Sequence, residues 1–295
     1  MPKVRRELKL LYYIINWYTQ HLPFPHKGWK YFYSMLRFLG LDKETYKKKI
    51  ADELYFNVTP ADHIQKNIFW YGAYEKDTLN CLCKLIKSDS TVFDIGANVG
   101  YYTVLMASRA CNGHVYAFEP LSIARNQLQK NIALNKIRNT TVLDFCISDK
   151  QESSVIYAAW EDNIGMSGLK PPENFSGRTE PVECMSFDEW FLSHRINSAN
   201  LIKIDVEGAE VKVLRGMSNT IKKHRPILIL EVISPQLVSF GATVEELYDL
   251  IIPHDYSAYR AEKKNKLKKL TCVEEGYDIF FIPNDNEIPA DIGIV

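Results

Sequence analysis

From residue 91 onward the chain alternates short continuous apolar runs with longer segments of helical period. "TVFDI" (91–95), "HVYAFE" (114–119), "TTVLDFCIS" (140–148), "LIKID" (201–205) and "PILILEV" (226–232) are predominantly apolar. Such runs fit strands covered on both faces rather than on one. Between them, "YYTVLMASRA" (101–110), "SIARNQLQKNIALN" (122–135), "EGAEVKVLRGM" (207–217) and "TVEELYDLII" (243–252) place apolar residues at helical spacing. Ser122 reads as an N-cap of the second helix. "YSAYR" (256–260) and "YDIFFIP" (277–283) supply two final strands. Strand–helix alternation of this kind predicts an α/β fold, a mostly parallel sheet with helices on both faces.

Two regions break the rhythm. Residues 150–186, with "GMSGLKPPENFSGR", read as a strand or hairpin insertion around a mobile loop. Residues 1–50 read as helical and rich in aromatics and lysine, interrupted by "HLPFPHKGW" (21–29). Within them "KETYKKK" (43–49) reads as a solvated charged stretch; beyond them "ELYFNVTP" (53–60) reads as a short strand and residues 62–87 as helix. The expected organisation is an N-terminal extension over 1–60 and one domain over 61–295, the insertion included.

Charge adds an exclusion. The 295 residues carry 36 basic and 36 acidic side chains, so global charge gives no case for nucleic-acid binding. Six cysteines show neither a CxxC pair nor zinc spacing, which suggests a reducing compartment such as the cytoplasm. Basic residues precede an apolar stretch from Leu8 to Tyr18 that is too short to span a bilayer. It reads first as a helix packed on the domain. A peripheral membrane contact through residues 1–20, at the inner face, is the second reading. "AEKKNKLKKL" (261–270) reads first as a basic surface loop and second as a contact for the phosphates of a lipid- or nucleotide-linked sugar.

The chemistry starts at "DIGANVG" (94–100), between the first strand and its helix. In such sheets ligands bind beyond the carboxyl ends of the strands, and glycines permit close backbone approach. Glu119 ends the next strand, where a carboxylate accepts hydrogen bonds from ribose hydroxyls. The order D-x-G-x-N-x-G differs from the G-x-G-x-x-G that receives a pyrophosphate. Asp94 puts negative charge where a pyrophosphate would sit, which favours S-adenosylmethionine over NAD.

"TVFDIGANVGYYTV", "VYAFEP", "LIKIDVEGAEVKVLRGM" and "PILILEV" occur in this order and together resemble the FkbM-family methyltransferases over roughly residues 68–235. The resemblance implies the seven-stranded class I methyltransferase fold, order 3-2-1-4-5-7-6 with the seventh strand antiparallel. It implies S-adenosyl-L-methionine as cofactor and methylation of hydroxyls on natural products or glycan sugars. It places Asp94, Gly96, Asn98, Gly100 and Tyr101 at the methionine end, Glu119 and the adjoining Pro120 at the ribose, and Ser148 with its neighbours near the adenine.

Methyl transfer to a hydroxyl needs alignment and a proton acceptor. Lys203 and Asp205 share one face of their strand by alternation, and a lysine inside an apolar strand needs a counterion. Asp205 and Glu231 are the candidates. Asp205 is expected as the general base or the group that orients the acceptor, with a structural ion pair to Lys203 as the other reading; Lys203, Glu207 and Glu231 are the further catalytic candidates. Glu207 is expected to open the following helix. Asp205 and Glu231 resemble the metal-ligand positions of catechol O-methyltransferase. Val232 stands where a further ligand would be expected, so Mg²⁺ is the secondary reading. His63 is a minor candidate base, Glu75 a brace for the cofactor loop, and Phe69, Trp70, Tyr71 and Tyr74 line either an acceptor pocket or the core. Methylation of RNA or protein, and S-adenosylmethionine binding without turnover as a scaffold in glycan assembly, are the alternative functions.

Overall fold

The computed structural model describes residues 8–21, 29–51, 53–158, 167–171, 175 and 177–295. Two helices, α1 (Lys9–His21) and α2 (Trp29–Phe38), lead into a hairpin of β1 (Tyr46–Ala51) and β2 (Leu54–Val58). Then come α3 (His63–Tyr71), α4 (Lys76–Leu85), β3 (Thr91–Ile95), α5 (Tyr101–Arg109), β4 (His114–Phe118), α6 (Ser122–Leu134) and β5 (Thr140–Leu143). An inserted sheet follows, made of β6 (Cys146–Ser148), β7 (Glu152–Ala158) and β8 (Arg178–Ser186), before α7 (Phe187–Ser193) and β9 (Leu201–Ile204). The chain continues through α8 (Glu210–Gly216), α9 (Ser218–His224), β10 (Ile227–Val232), α10 (Ser234–Ser239) and α11 (Val244–Asp249). It finishes with β11 (Tyr256–Glu262), β12 (Lys266–Lys269), β13 (Gly276–Pro283) and β14 (Gly293–Ile294).

The main sheet has nine strands in the order β14-β12-β11-β13-β10-β9-β3-β4-β5. From β5 to β11 this is the expected 3-2-1-4-5-7-6 arrangement, with β13 antiparallel to both β10 and β11. Alternation along the strands divides the core. Ile229 and Phe280 face one apolar cluster, and Leu228, Leu230 and Phe281 face the other. Ile15, Leu36, Tyr46 and Phe56 from the N-terminal elements join the first cluster, together with Ile68 and Val104. Among the described residues no helix is long and apolar enough to cross a membrane.

Several local expectations are corrected. The "KETYKKK" stretch is largely the strand β1. Its Tyr46 and Lys48 are buried, and burial pushes the Lys48 ammonium down to about 8. Residues 62–87 form two helices, because Gly72 in the left-handed region ends α3. Ser122 is the first residue of α6 and not its cap; its hydroxyl donates to Glu180. The expected strand over 140–148 is divided between two sheets, β5 in the main one and β6 beside β8. The basic run after β11 is a hairpin strand, β12, whose Leu267 is buried while its lysines face outward. Most of "HLPFPHKGW" and of the 159–176 loop lies outside the described residues.

Candidate active site

β3, β4, β9 and β10 end together at one cleft, the switch point of the sheet. Its open volume is about 970 Å³. The loop that opens it is shaped by its neighbours. Gly96 has φ +86°, and a Cβ there would lie 1.8 Å from the carbonyl oxygen of Asp205. Gly100 has φ +87°, and its Cβ would lie 2.2 Å from Leu128 of α6. Both glycines are therefore required by contact with protein, the first with the end of β9 and the second with a helix. Gly96→Ala should destabilise the fold by roughly 2 kcal/mol or more and displace Asp205. Thermal melting checks this, and an unchanged melting temperature would contradict the contact.

Asn98, at φ +50°, turns the loop toward β4. The Asn98 backbone N–H donates to Glu119 Oε2 at 2.7 Å and that of Leu121 donates to Oε1 at 2.8 Å. Glu119 is buried, and burial pushes its carboxyl up to about 7 despite these two bonds. Each oxygen keeps a further lone pair, and Glu119 lines the cleft. Pro120, Leu121, Phe145, Cys146 and Ile147 continue this wall. A buried acceptor on an apolar shelf fits an adenosine.

The other end is anionic. Lys203 is buried, and its Nζ donates to Asp205 Oδ2 at 2.8 Å and sits 3.9 Å from Asp278 Oδ1. It also lies 4.5 Å from the centroid of the Tyr102 ring. Asp94 is its direct partner across the β3–β9 register. Surrounded by Asp205, Asp278, Asp94 and Glu75, the ammonium is held well above the usual lysine range in spite of burial. Asp278 is a partner that the sequence reading missed; it sits at φ +53° in β13, where the register with β10 shifts. Glu231 is not in hydrogen-bond contact with the lysine. Its Oε2 is buried with no hydrogen-bond partner among the described residues.

Glu75 lies in the cleft, at φ +45°, accepting from the Tyr102 hydroxyl at 2.7 Å. Burial and the facing Asp278 push its carboxyl up to about 8. Glu207 is not in a helix. It occupies a left-handed turn, and its Oε2 accepts from Gln236 Nε2 at 2.7 Å. The carboxylate at the helix start is Glu210, which accepts from the backbone N–H groups of Val206 and Gly208. Oxygens of Asp205, Glu207 and Glu231 lie within 4.8 Å of one another. Burial and the charge of Asp205 raise Glu207 to about 8 and Glu231 to about 9.

The expected site residues thus divide. Gly96, Asn98, Glu119, Pro120, Asp205, Glu207 and Glu231 line the cleft. Asp94, Gly100, Tyr101, Ser148 and Lys203 are not among the lining residues. Asp94 is buried and accepts from the Thr103 hydroxyl. The Tyr101 hydroxyl accepts from the Tyr74 N–H and its ring packs on Phe56. Ser148 is buried in β6, its hydroxyl toward Asp149. His63 is exposed outside the cleft, with Ile64 lining it instead. Of the aromatics, Phe69 and Trp70 are core and Tyr74 faces the cleft.

Burial raises Glu75, Asp94, Glu119 and Glu210 to between about 6 and about 8. For an acid raised by folding, the folded state holds the proton more tightly than the unfolded chain. The corresponding stability is present below the ordinary carboxylate range and lost as pH rises through about 8. Melting temperature without ligand should therefore fall across that interval; a rise would contradict the assignment.

The methyltransferase FkbM domain matches residues 94–260, more than half of the chain. The chain belongs to the FkbM methyltransferase family. This member is 26% identical over 161 residues to the hexuronic acid methyltransferase AglP of Haloferax volcanii, which covers 52% of the chain and 61% of that protein. It is 23% identical over 237 residues to the AMB antimetabolite synthetase AmbE of Pseudomonas aeruginosa, 68% of the chain and 11% of that protein. The chain thus spans only part of the length of each relative. Among solved structures, the FkbM methyltransferase of Methylobacillus flagellatus matches 66% of the chain and 44% of its own at 16% identity and a TM-score of 0.43.

Proposed function

We propose that this family member is an S-adenosylmethionine-dependent O-methyltransferase acting on a hydroxyl of a saccharide. The observation that carries the reading is the single cleft that joins the Glu119 acceptor to the Lys203-bound Asp205. Glu119, with Gly96 and Asn98, would hold the ribose side. Glu75 and Asp278 face the cationic methionine side. When bound, S-adenosylmethionine supplies an electrophilic methyl group on a sulfonium.

The chain's own residues supply position and a proton acceptor. Lys203 fixes one oxygen of Asp205, which leaves the other for the acceptor hydroxyl. Glu207 and Glu231, raised to about 8 and about 9, hold protons at neutral pH and serve as donors or orienting groups. Ser167, Gly168 and Leu169 of the insertion line the cleft, so the insertion shapes the acceptor side. The saccharide is supported by the likeness to a hexuronic acid methyltransferase.

A second reading adds a divalent cation such as Mg²⁺. The donor set fits one: three carboxylates converge, and Glu231 Oε2 has no other partner among the described residues. Glu207 supplies the ligand that Val232 does not. Asp205, Glu207 and Glu231 would hold the ion, which would lower the acceptor hydroxyl's affinity for its proton. Chelation followed by Mg²⁺ addition separates the readings: turnover unaffected by both supports Asp205 alone, and turnover lost and restored supports the cation.

The test of the cofactor is calorimetric titration with S-adenosylhomocysteine and with NAD⁺. Binding of the first alone is expected. Glu119→Gln should weaken it by about tenfold or more, because one buried N–H then faces an amide donor. Binding of NAD⁺ alone would overturn the reading.

A further inference from the structure

The N-terminal helices bury one face and present another that the cleft does not use. In α1, Tyr12 stacks on Tyr46 and Ile15 enters the core. Its opposite face carries Leu10, Tyr13, Ile14 and Trp17, spaced three or four apart, with Leu10 71% and Trp17 56% exposed. In α2, Leu36 is buried and Phe32 packs edge-on against Trp70. Its opposite face carries Tyr31, Met35 and Phe38, with Tyr31 84% and Phe38 88% exposed.

Two stripes of large apolar and aromatic side chains, on the two helices of the N-terminal layer, are unusual on a water-facing surface. Their charge setting narrows the occupant. Neither helix contains an acidic residue, and exposed Lys30 and Arg37 flank the α2 stripe. Residues 1–50 hold eleven Lys and Arg against three Asp and Glu, in a chain that balances at 36 and 36. Along the sequence, the excess of positive charge thus falls in the segment that carries the apolar stripes.

We infer that this layer docks on an anionic lipid surface, with α1 and α2 lying in the interface. Tyr and Trp suit the headgroup level, and Leu10, Ile14 and Phe38 reach the acyl boundary. The cations add attraction to anionic headgroups. A protein partner or a second copy of the chain would have less use for so one-sided a charge.

Sedimentation of the full chain with vesicles tests this. Vesicles of phosphatidylcholine mixed with phosphatidylglycerol should pull the protein down, and phosphatidylcholine alone should do so far less. Replacing Leu10, Ile14, Trp17 and Phe38 by Ser should weaken binding by about tenfold or more, with unchanged circular dichroism. Lys30→Gln with Arg37→Gln, which leaves every residue of the apolar stripes in place, should lose about tenfold on the anionic vesicles alone. Absence of binding to either vesicle, or equal binding to both, overturns the inference. So does a dimer in analytical ultracentrifugation that the four serine replacements dissolve, since the face would then belong to a second copy.

Discussion

Asp205→Asn should bind S-adenosylhomocysteine as the parent does and lose turnover by about 10²- to 10⁴-fold. The asparagine keeps the size of the side chain and an oxygen for Lys203 Nζ, now 2.8 Å from the carboxylate. What it loses is the capacity to take a proton. The Gly96 contact, which involves only the Asp205 backbone, is untouched. Calorimetry and labelled methyl transfer on the same preparation check both halves. Full turnover in the variant would make Asp205 a structural partner of the lysine and move the proton acceptor elsewhere in the cleft.

Lys203→Met should cost about 3–5 kcal/mol of stability, because it removes the cation and leaves the acids behind. Asp94, Asp205, Asp278 and Glu75 all act on this one ammonium. For a chain of this size the loss corresponds to a fall of roughly 10 °C in melting temperature. The deficit should be smaller in acid, where the carboxylates take up protons, and larger above about 8, where Glu75 gives up its own. A variant that melts like the parent at every pH would show that the acids already share protons and do not need the lysine.

How much of this was legible depended on distance along the chain. The buried strands were visible because parallel strands covered on both faces are apolar at every position, and "LIKI" and "ILIL" leave little else to read. The lysine inside β9 announced that it needed a counterion, and alternation found Asp205 two residues away. Asp278 was invisible to that argument: it is far along the chain and reaches the lysine only because β13 enters antiparallel beside β10. The same limit hid β1. Consecutive lysines look solvated, yet Lys48 is buried in the layer beneath α3 while its neighbours face outward. Of the glycines of "DIGANVG", Gly96 lines the cleft and Gly100 does not, and both meet protein where ligand approach was expected. Their first neighbours are Asp205 and Leu128, which no local pattern names.

The division of one apolar run between β5 and β6 has a consequence for redesign. The chain leaves the main sheet after Leu143, and Cys146, Ile147 and Ser148 pair with Cys184, Met185 and Ser186 of the inserted hairpin. Cys146 and Ile147 are also wall of the candidate cleft. On the proposed function, the segment that would shape the acceptor side and the segment that would shelve the adenosine share a backbone ladder and are not interchangeable modules. Grafting another relative's insertion between residues 150 and 186 would transmit its own β8 register to the shelf. On that proposal, a graft that keeps β6 and the last residues of β8 should change the acceptor preference alone, whereas one that replaces them should trade substrate range against cofactor affinity.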